Sequence, residues 1–396
     1  MNKKEERKYY DHLIFESGYT GHRVEYVKHV MNYINQNENL HGKYSFLLNE
    51  KIHPLLSGLN ASQAYKIYYL QFNEKHSNSV SKGFSDWQLI DGFLKSTDPF
   101  SEITFLDIDP YLVLLTTRRF LKYRMKVNGI LFQPYIHFSK IPAMEKLKPV
   151  LKNFLFQKIA TLLNSNIKRL YILNDKKGVK RLNRNIKNVF YYLPDPIDDE
   201  IVQITSPAAI VEKFGISDNK RNLLLFGRID HRKNLLNIID SLRLLPAPER
   251  NKIRLIVAGA WDENVKAEYL DYIRKYRSEI EIVYNDAYVN DEERELLFQQ
   301  SDIILMPYIN FYSSSGVLGH TIKSGKNVIV SAKGIVADIV NENDLGKTVD
   351  PMKPAEIRDA ISELLQRPKS KFQNNKEMIR EYSPGNFSKV LLGDFS

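Results

Sequence analysis

The chain has 396 residues, enough for two or three domains with sizeable cores. Its 43% apolar and 26% charged content is that of a globular protein, and the lack of any cysteine excludes disulfides and thiolate-held metals. The net charge of +10 is unevenly placed: residues 1–200 hold 30 Lys and Arg against 20 Asp and Glu, the rest 27 against 27. A basic first half points to an anionic partner such as a membrane face, a lipid-linked phosphate or nucleic acid, or else to a solubilising surface. No apolar run approaches the roughly 20 residues of a membrane span, and MNKKEERKYY does not read as a signal peptide.

In chain order, HLIFE at 12–16 reads as a first strand. GYTGHR follows, and an amphipathic helix runs through Val24, Val27, Val30, Met31 and Ile34. Strands are expected at 44–50, 103–109 and VNGILFQPY, with a helix at DWQLIDGFLKS and residues 60–80 undecided. YLVLLTTRRFLKYRM reads as a basic helix, and Pro149 to Leu163 as a second helix edged by Lys146, Lys148, Lys152 and Lys158. IKRLYILND and NVFYYLP complete the first half. LPDPIDDE at 193–200, with two prolines and four acids, is the expected connector.

Strand–helix alternation then restarts: NLLLFGR, a helix through Leu235, Ile238, Ile239 and Leu242, IRLIVAG, EYLDYIRKY, IEIVYNDAYV and EERELLFQQ. The buried strand Ile303–Met306 stops at Pro307, and Ser313, Ser314, Ser315 and Gly316 open a helix that Gly325 closes before Val328–Val330. A small-residue loop entering a helix after a parallel strand exposes amides beside the positive helix end, an anion site. FGRIDHRKN at 226–234 places Arg228 and Lys233 five residues apart at a strand end. Guanidinium and ammonium there suit a diphosphate. A basic solvated turn is the plain alternative. Two alternating blocks predict two doubly wound parallel sheets with ligands beyond their carboxyl ends.

At these residues the second half resembles the donor-binding domain of GT-B glycosyltransferases of family 4 (group 1). Gly227, Arg228 and Lys233 match that family's diphosphate motif. SDIILMP at 301–307, SSSGVLGHTIKSGK and AKGIVADIVNENDLGKTVDP match its later landmarks, over residues 220–366. One departure stands out: the family's paired glutamates fall on Tyr312 and His320.

The resemblance implies an α/β protein with two Rossmann-like domains facing across a cleft. An acceptor domain would span 1–197, a donor domain 198–380, and a segment 381–396 would pack back on the first. It implies a retaining, metal-independent glycosyltransferase that uses a UDP- or GDP-sugar and no cofactor. The acceptor would be a glycan or lipid-linked, in cell-surface polysaccharide synthesis. The donor would meet Gly227, Arg228, Lys233, Tyr312, Ser314, Ser315 and the amides of Gly316, Val317 and Leu318. His320 would face the ribose, and Tyr288 and Val289 the base. From the first half, Gly21 and His22 are donor-side candidates. Arg228, Lys233, Asp109 and His137 are catalytic candidates: the two cations would stabilise the leaving diphosphate, Asp107 or Asp109 would bind acceptor hydroxyls or act as a base, Asp109 doubling as a helix cap, and Gln133 shares the place of His137. A cytoplasmic site at an anionic membrane is expected, and nucleic acid is disfavoured because no reader motif is present. The rival readings are a non-catalytic GT-B subunit and a sugar-nucleotide epimerase.

Overall fold

The computed structural model describes residues 11–56, 58–73, 78–132, 158–197, 202–216, 219–311, 314–367 and 376–394. Tyr312, Ser313, Gln133 and His137 lie outside them, as does most of the helix expected from Pro149. The chain divides into two units, Met1–Asp195 with Pro384–Ser396, and Pro196–Ser383. The crossing lies within the proline- and acid-rich connector.

Among the described residues unit 1 holds seven parallel strands: β1 His12–Glu16, β2 Tyr44–Asn49, β3 Lys66–Leu70, β4 Glu102–Phe105, β5 Lys126–Leu131, β6 Ile167–Leu173 and β7 Phe190–Leu193. Their order is β3-β2-β1-β4-β5-β6-β7. β2 is buried at all six positions, as expected of a strand covered on both faces. Aromatic pairs fill one face, with Phe15 edge-on to Phe72, Phe105 and Tyr111. Helix Pro384–Leu392 packs on helix His22–Gln36, where Phe387 meets Tyr26 at 4.6 Å. The Tyr171 hydroxyl donates to the Leu391 carbonyl.

Three expectations change here. The undecided stretch contains β3, and the helix expected from Asp86 begins at Ser79, where the Asn78 side chain accepts from the Ser81 amide. The strand at 103–109 stops at Phe105, and the Ile108 amide instead donates to the Ile130 carbonyl. The basic helix from Tyr111 breaks into 3-10 turns at Asp109–Tyr111 and Leu114–Thr116 and a short helix Arg118–Leu121. Pro110 and the hydroxyls of Thr116 and Thr117, which bond back to Val113 and Leu114 carbonyls, compete with a continuous ladder.

Among the described residues unit 2 holds six parallel strands: β8 Arg221–Phe226, β9 Ile253–Ala258, β10 Glu281–Asn285, β11 Ile303–Met306, β12 Asn327–Ser331 and β13 Gly346–Val349. Their order is β10-β9-β8-β11-β12-β13. Strands β8, β9, β11 and β12 supply a continuous apolar core. Helix Ile335–Glu342 and β13 carry the stretch read in the sequence only by resemblance.

Candidate functional site

Both sheets reverse their winding direction once. In unit 2, β9 and β10 lie on one side of β8, and β11 to β13 on the other. The carboxyl ends of β8 and β11 therefore form the topological switch point, where open α/β sheets take ligands.

The loop after β8 is shaped by close backbone contacts. Gly227 has φ of 97°. A Cβ on it would lie 3.3 Å from the Lys233 ammonium. A Cβ on Gly259 would lie 2.1 Å from the Gly227 carbonyl oxygen, so β9 passes too close for a side chain. The turn His231–Lys233 ends in Asn234, at φ of 63°. Its side-chain amide donates to the carbonyls of Pro307 (3.0 Å) and Pro351 (2.6 Å). The Ile309 amide donates to the Arg232 carbonyl at 2.9 Å. The Arg232 guanidinium lies over Phe311 and Tyr308, 5.0 and 5.5 Å from their ring centres. These bonds join the loops that follow β8 and β11.

Lys233 is 3% exposed. Its ammonium donates to the Phe226 carbonyl (2.5 Å) and the Tyr308 hydroxyl (2.7 Å). Burial, with Arg232 adding to it, pulls its pKa down to about 7. Arg228 behaves differently. Its side chain is 71% exposed and pairs with Asp262 at 2.7 Å. The Asn264 amide and the Arg228 guanidinium hold the Asp262 carboxyl below its usual range. The two cations leave one strand end for different partners, so the expected convergence of their side chains is not seen.

Helix Gly316–Lys323 begins at Ser315, which is extended and makes no side-chain cap bond. Gly316 is exposed, with open space where a Cβ would stand. The expectation that Leu318 offers its amide to a ligand is corrected: that amide donates to the Ser315 carbonyl at 3.0 Å, and the side chain is buried in the core. Ser314 and Val317 are half-buried at the same helix entrance. His320 lies against Phe298, with ring centres 5.4 Å apart. It lines a shallow recess with Arg294, Glu295, Lys323 and Ser324. Beyond β10, Tyr288 is 80% exposed and Val289 is buried.

In unit 1 the switch point lies between β1 and β4. Gly21, at φ of 62°, precedes helix His22–Gln36 and has open space around it. His22 packs against Phe132 and Tyr26. Asp109 accepts from the Phe132 amide at 2.8 Å. That bond fixes the end of β5, and Asp109 does not cap a long helix, since none follows.

Sequence reasoning named Asp107 as a candidate but missed Glu16 and Arg23, which join it in a polar cluster beneath. Arg23 pairs with Asp107 and reaches Glu16 at 3.5 Å. Glu16 is 2% exposed, its Oε1 accepts from the Gly18 amide, and its Oε2 is buried without a partner. Burial pushes its pKa up to about 7 against the opposing pull of Arg23. Asp107 is likewise raised by burial. A Cβ on Gly18 would lie 2.3 Å from the Arg23 Cδ, so glycine there lets Arg23 fold across the loop. The readable signal was that HLIFE and FLDID both end in acids at adjacent strand ends. Lys82, Asp86 and Tyr111 extend the network: Lys82 bonds Asp86 and Ser17 at 2.6 Å each, and Tyr111 bonds Asp86 at 2.5 Å. Among the described residues no group of three or more His, Asp or Glu is placed to hold a metal ion.

Residues 208–383 match the family described as Glycosyl transferases group 1. They are a group 1 glycosyltransferase domain, in a chain of GT-B fold. Solved structures similar over nearly the whole chain agree on that fold. One is WaaG, a glycosyltransferase involved in lipopolysaccharide biosynthesis, at 14% identity and TM-score 0.63, covering 96% of this chain and 100% of that one. A second is HepE of Anabaena in complex with UDP and glucose, at 11% identity and TM-score 0.68, covering 97% and 98%. A third is the UDP-forming α,α-trehalose-phosphate synthase of Burkholderia xenovorans, at 10% identity and TM-score 0.66, covering 97% and 100%. No curated protein sequence matches the chain. The family match makes glycosyl transfer the coarse function, and in the glycosyltransferase domain it covers the β8 loop, β11 and the serine–glycine helix entrance together.

Proposed function

We propose that this glycosyltransferase moves a sugar from a nucleotide-diphosphate sugar to a glycan or lipid-linked acceptor in cell-surface polysaccharide synthesis, with retention and without a metal. The observation that carries the reading is Lys233. A buried ammonium at the switch point, beneath a glycine loop, is costly for the fold alone and is matched by an anion brought over Gly227. The entrance at Ser315–Gly316 supplies amides beside a positive helix end. Arg228, released from Asp262, adds a fork for phosphate oxygens. A charge-assisted bond contributes about 1.5–3 kcal/mol net, enough for one Arg or Lys to decide measurable donor affinity. The complexes of HepE with UDP and with UDP-glucose, and the UDP-forming synthase, among the similar structures favour UDP over GDP as the carrier. The work would be done in the cytoplasm, at the inner membrane face where a lipid-linked acceptor lies.

Isothermal titration with a panel of UDP- and GDP-sugars tests this. Wild type is expected to bind one series, with Lys233→Ala and Arg228→Ala each weakening it at least about tenfold. No binding to any donor, or binding untouched by both substitutions, overturns the reading. A second reading, a non-catalytic subunit, draws on the replacement of both family glutamates and on the packing of His320 against Phe298. Donor binding without turnover, together with co-purification of an active transferase, would favour it.

A further inference from the structure

We propose that Tyr308 is a positioning residue for glycosyl transfer: its hydroxyl fixes the Lys233 ammonium beneath Gly227, so that the donor diphosphate meets a cation already in place. The inference rests on the role given to Lys233 above and names the side chain that sets that lysine. Tyr308 follows Pro307 at the end of β11 and belongs to no motif read from the sequence. It is 2% exposed and lies in the apolar core of unit 2. A phenylalanine would fill that core equally well. The hydroxyl is the part that packing does not require, and a buried phenol oxygen needs a polar partner. Here the partner is the Lys233 ammonium at 2.7 Å, and the ring centre lies 4.2 Å from the same nitrogen.

The tyrosine is itself held from several sides. Ser331, at the end of β12, donates its hydroxyl to the Tyr308 carbonyl. The next amide, that of Ile309, donates to the Arg232 carbonyl, and Phe311 lies edge-on to the ring at 5.5 Å. A lysine stem is long and flexible, and ordering it at the moment of binding would weaken the donor's affinity. In this fold the ordering is complete before a ligand arrives. Both acceptors of the ammonium, the Phe226 carbonyl and the Tyr308 hydroxyl, are uncharged. Burial pushes the Tyr308 pKa upward, so the phenol stays neutral. The other charges that act on Lys233, Arg232 and Asp230, oppose one another. The cation is thus held without being neutralised, as a carboxylate in place of the phenol would neutralise it. An ammonium carries three N–H donors. Among the described residues the two acceptors take two of them, which leaves one for a ligand oxygen. Gly227 keeps the approach clear: a Cβ there would meet only Lys233, 3.3 Å from its Nζ and 3.9 Å from its Cε.

The experiment is isothermal titration of the full chain with UDP and, separately, with GDP, at about pH 6, below the Lys233 pKa of about 7. Wild type is compared with Tyr308→Phe, Lys233→Met and the double variant. Tyr308→Phe removes one oxygen and leaves the Phe226 carbonyl to anchor the lysine, and methionine keeps the volume of the lysine stem, so the fold should tolerate all three; circular dichroism melting checks this. Tyr308→Phe is expected to weaken the nucleotide that wild type binds at least about fivefold. In the Lys233→Met background the same change should alter affinity less than about twofold. A tyrosine that only filled the core would act equally in both backgrounds, because the packing it supplies is the same in each. Equal weakening in both, or wild-type affinity in Tyr308→Phe, overturns the inference and leaves the proposed function standing, provided that Lys233→Met alone weakens binding. No nucleotide binding by wild type, or binding that Lys233→Met leaves untouched, overturns the role given to Lys233 and this inference with it.

Discussion

Replacing Lys233 with methionine should change how the second unit responds to pH. In the folded protein the ammonium pKa lies at about 7, against about 10.4 in an unfolded chain. The folded pKa is the lower one. Between the two values the unfolded state therefore binds more protons, and wild type gains stability as pH rises. The slope is about 1.4 kcal/mol per pH unit, and the full penalty, felt below pH 7, is about 4–5 kcal/mol. Lys233→Met removes the titration but orphans the Phe226 carbonyl and the Tyr308 hydroxyl, a cost of about 1–3 kcal/mol each. That cost is constant over the range, because burial pushes the Tyr308 pKa upward as well. The slope therefore isolates the ammonium. The two tryptophans, Trp87 and Trp261, fall in different units. In a Trp87→Phe background, urea unfolding followed by Trp261 fluorescence reports on the second unit. Between pH 7 and 9 the stability difference between wild type and Lys233→Met should shift by about 2–3 kcal/mol in favour of wild type. Parallel pH curves would refute the argument, and would mean that Lys233 is solvated or already charge-compensated.

Three further outcomes follow from the same physics. Glu16 has a folded pKa of about 7, above its unfolded value, so its contribution is present at low pH and lost as pH rises through 7. Glu16→Gln should gain about 3 kcal/mol on wild type between pH 4.5 and 8, read by Trp87 fluorescence in urea; an unchanged difference counts against a buried, titrating carboxyl. Gly259→Ala should cost more than Gly227→Ala, because its Cβ would strike backbone at 2.1 Å while the other meets the end of a lysine side chain at 3.3 Å. Melting temperatures of the two variants check the order, with at least about 2 kcal/mol expected for Gly259→Ala. Phe387→Ala should destabilise unit 1 by about 3–5 kcal/mol and leave unit 2 unchanged, since Phe387 is fully buried against Tyr26; separate Trp87 and Trp261 transitions would show this.

The strand–helix alternation, the Gly227–Arg228–Lys233 spacing and the strand–serine–glycine–helix stretch were legible because they are local. Apolar runs of strand length, helical repeats and turn residues express themselves within about ten neighbours. The broken helix after Asp109 was not legible. Tyr111, Leu112, Leu114 and Leu115 are all buried, so the pattern that suggests a helix reflects core packing from several sides. Composition and order of elements thus determined two parallel α/β sheets and the strand ends that frame their switch points. Which charges meet there was decided only by tertiary contact. Arg228 finds Asp262, 34 residues away, and Lys233 finds Tyr308, 75 residues away. Glu16 and Asp107 share Arg23 because β1 and β4 lie side by side. An ion pair's partner and its loss of water depend on distance in space, and no one-dimensional pattern encodes either.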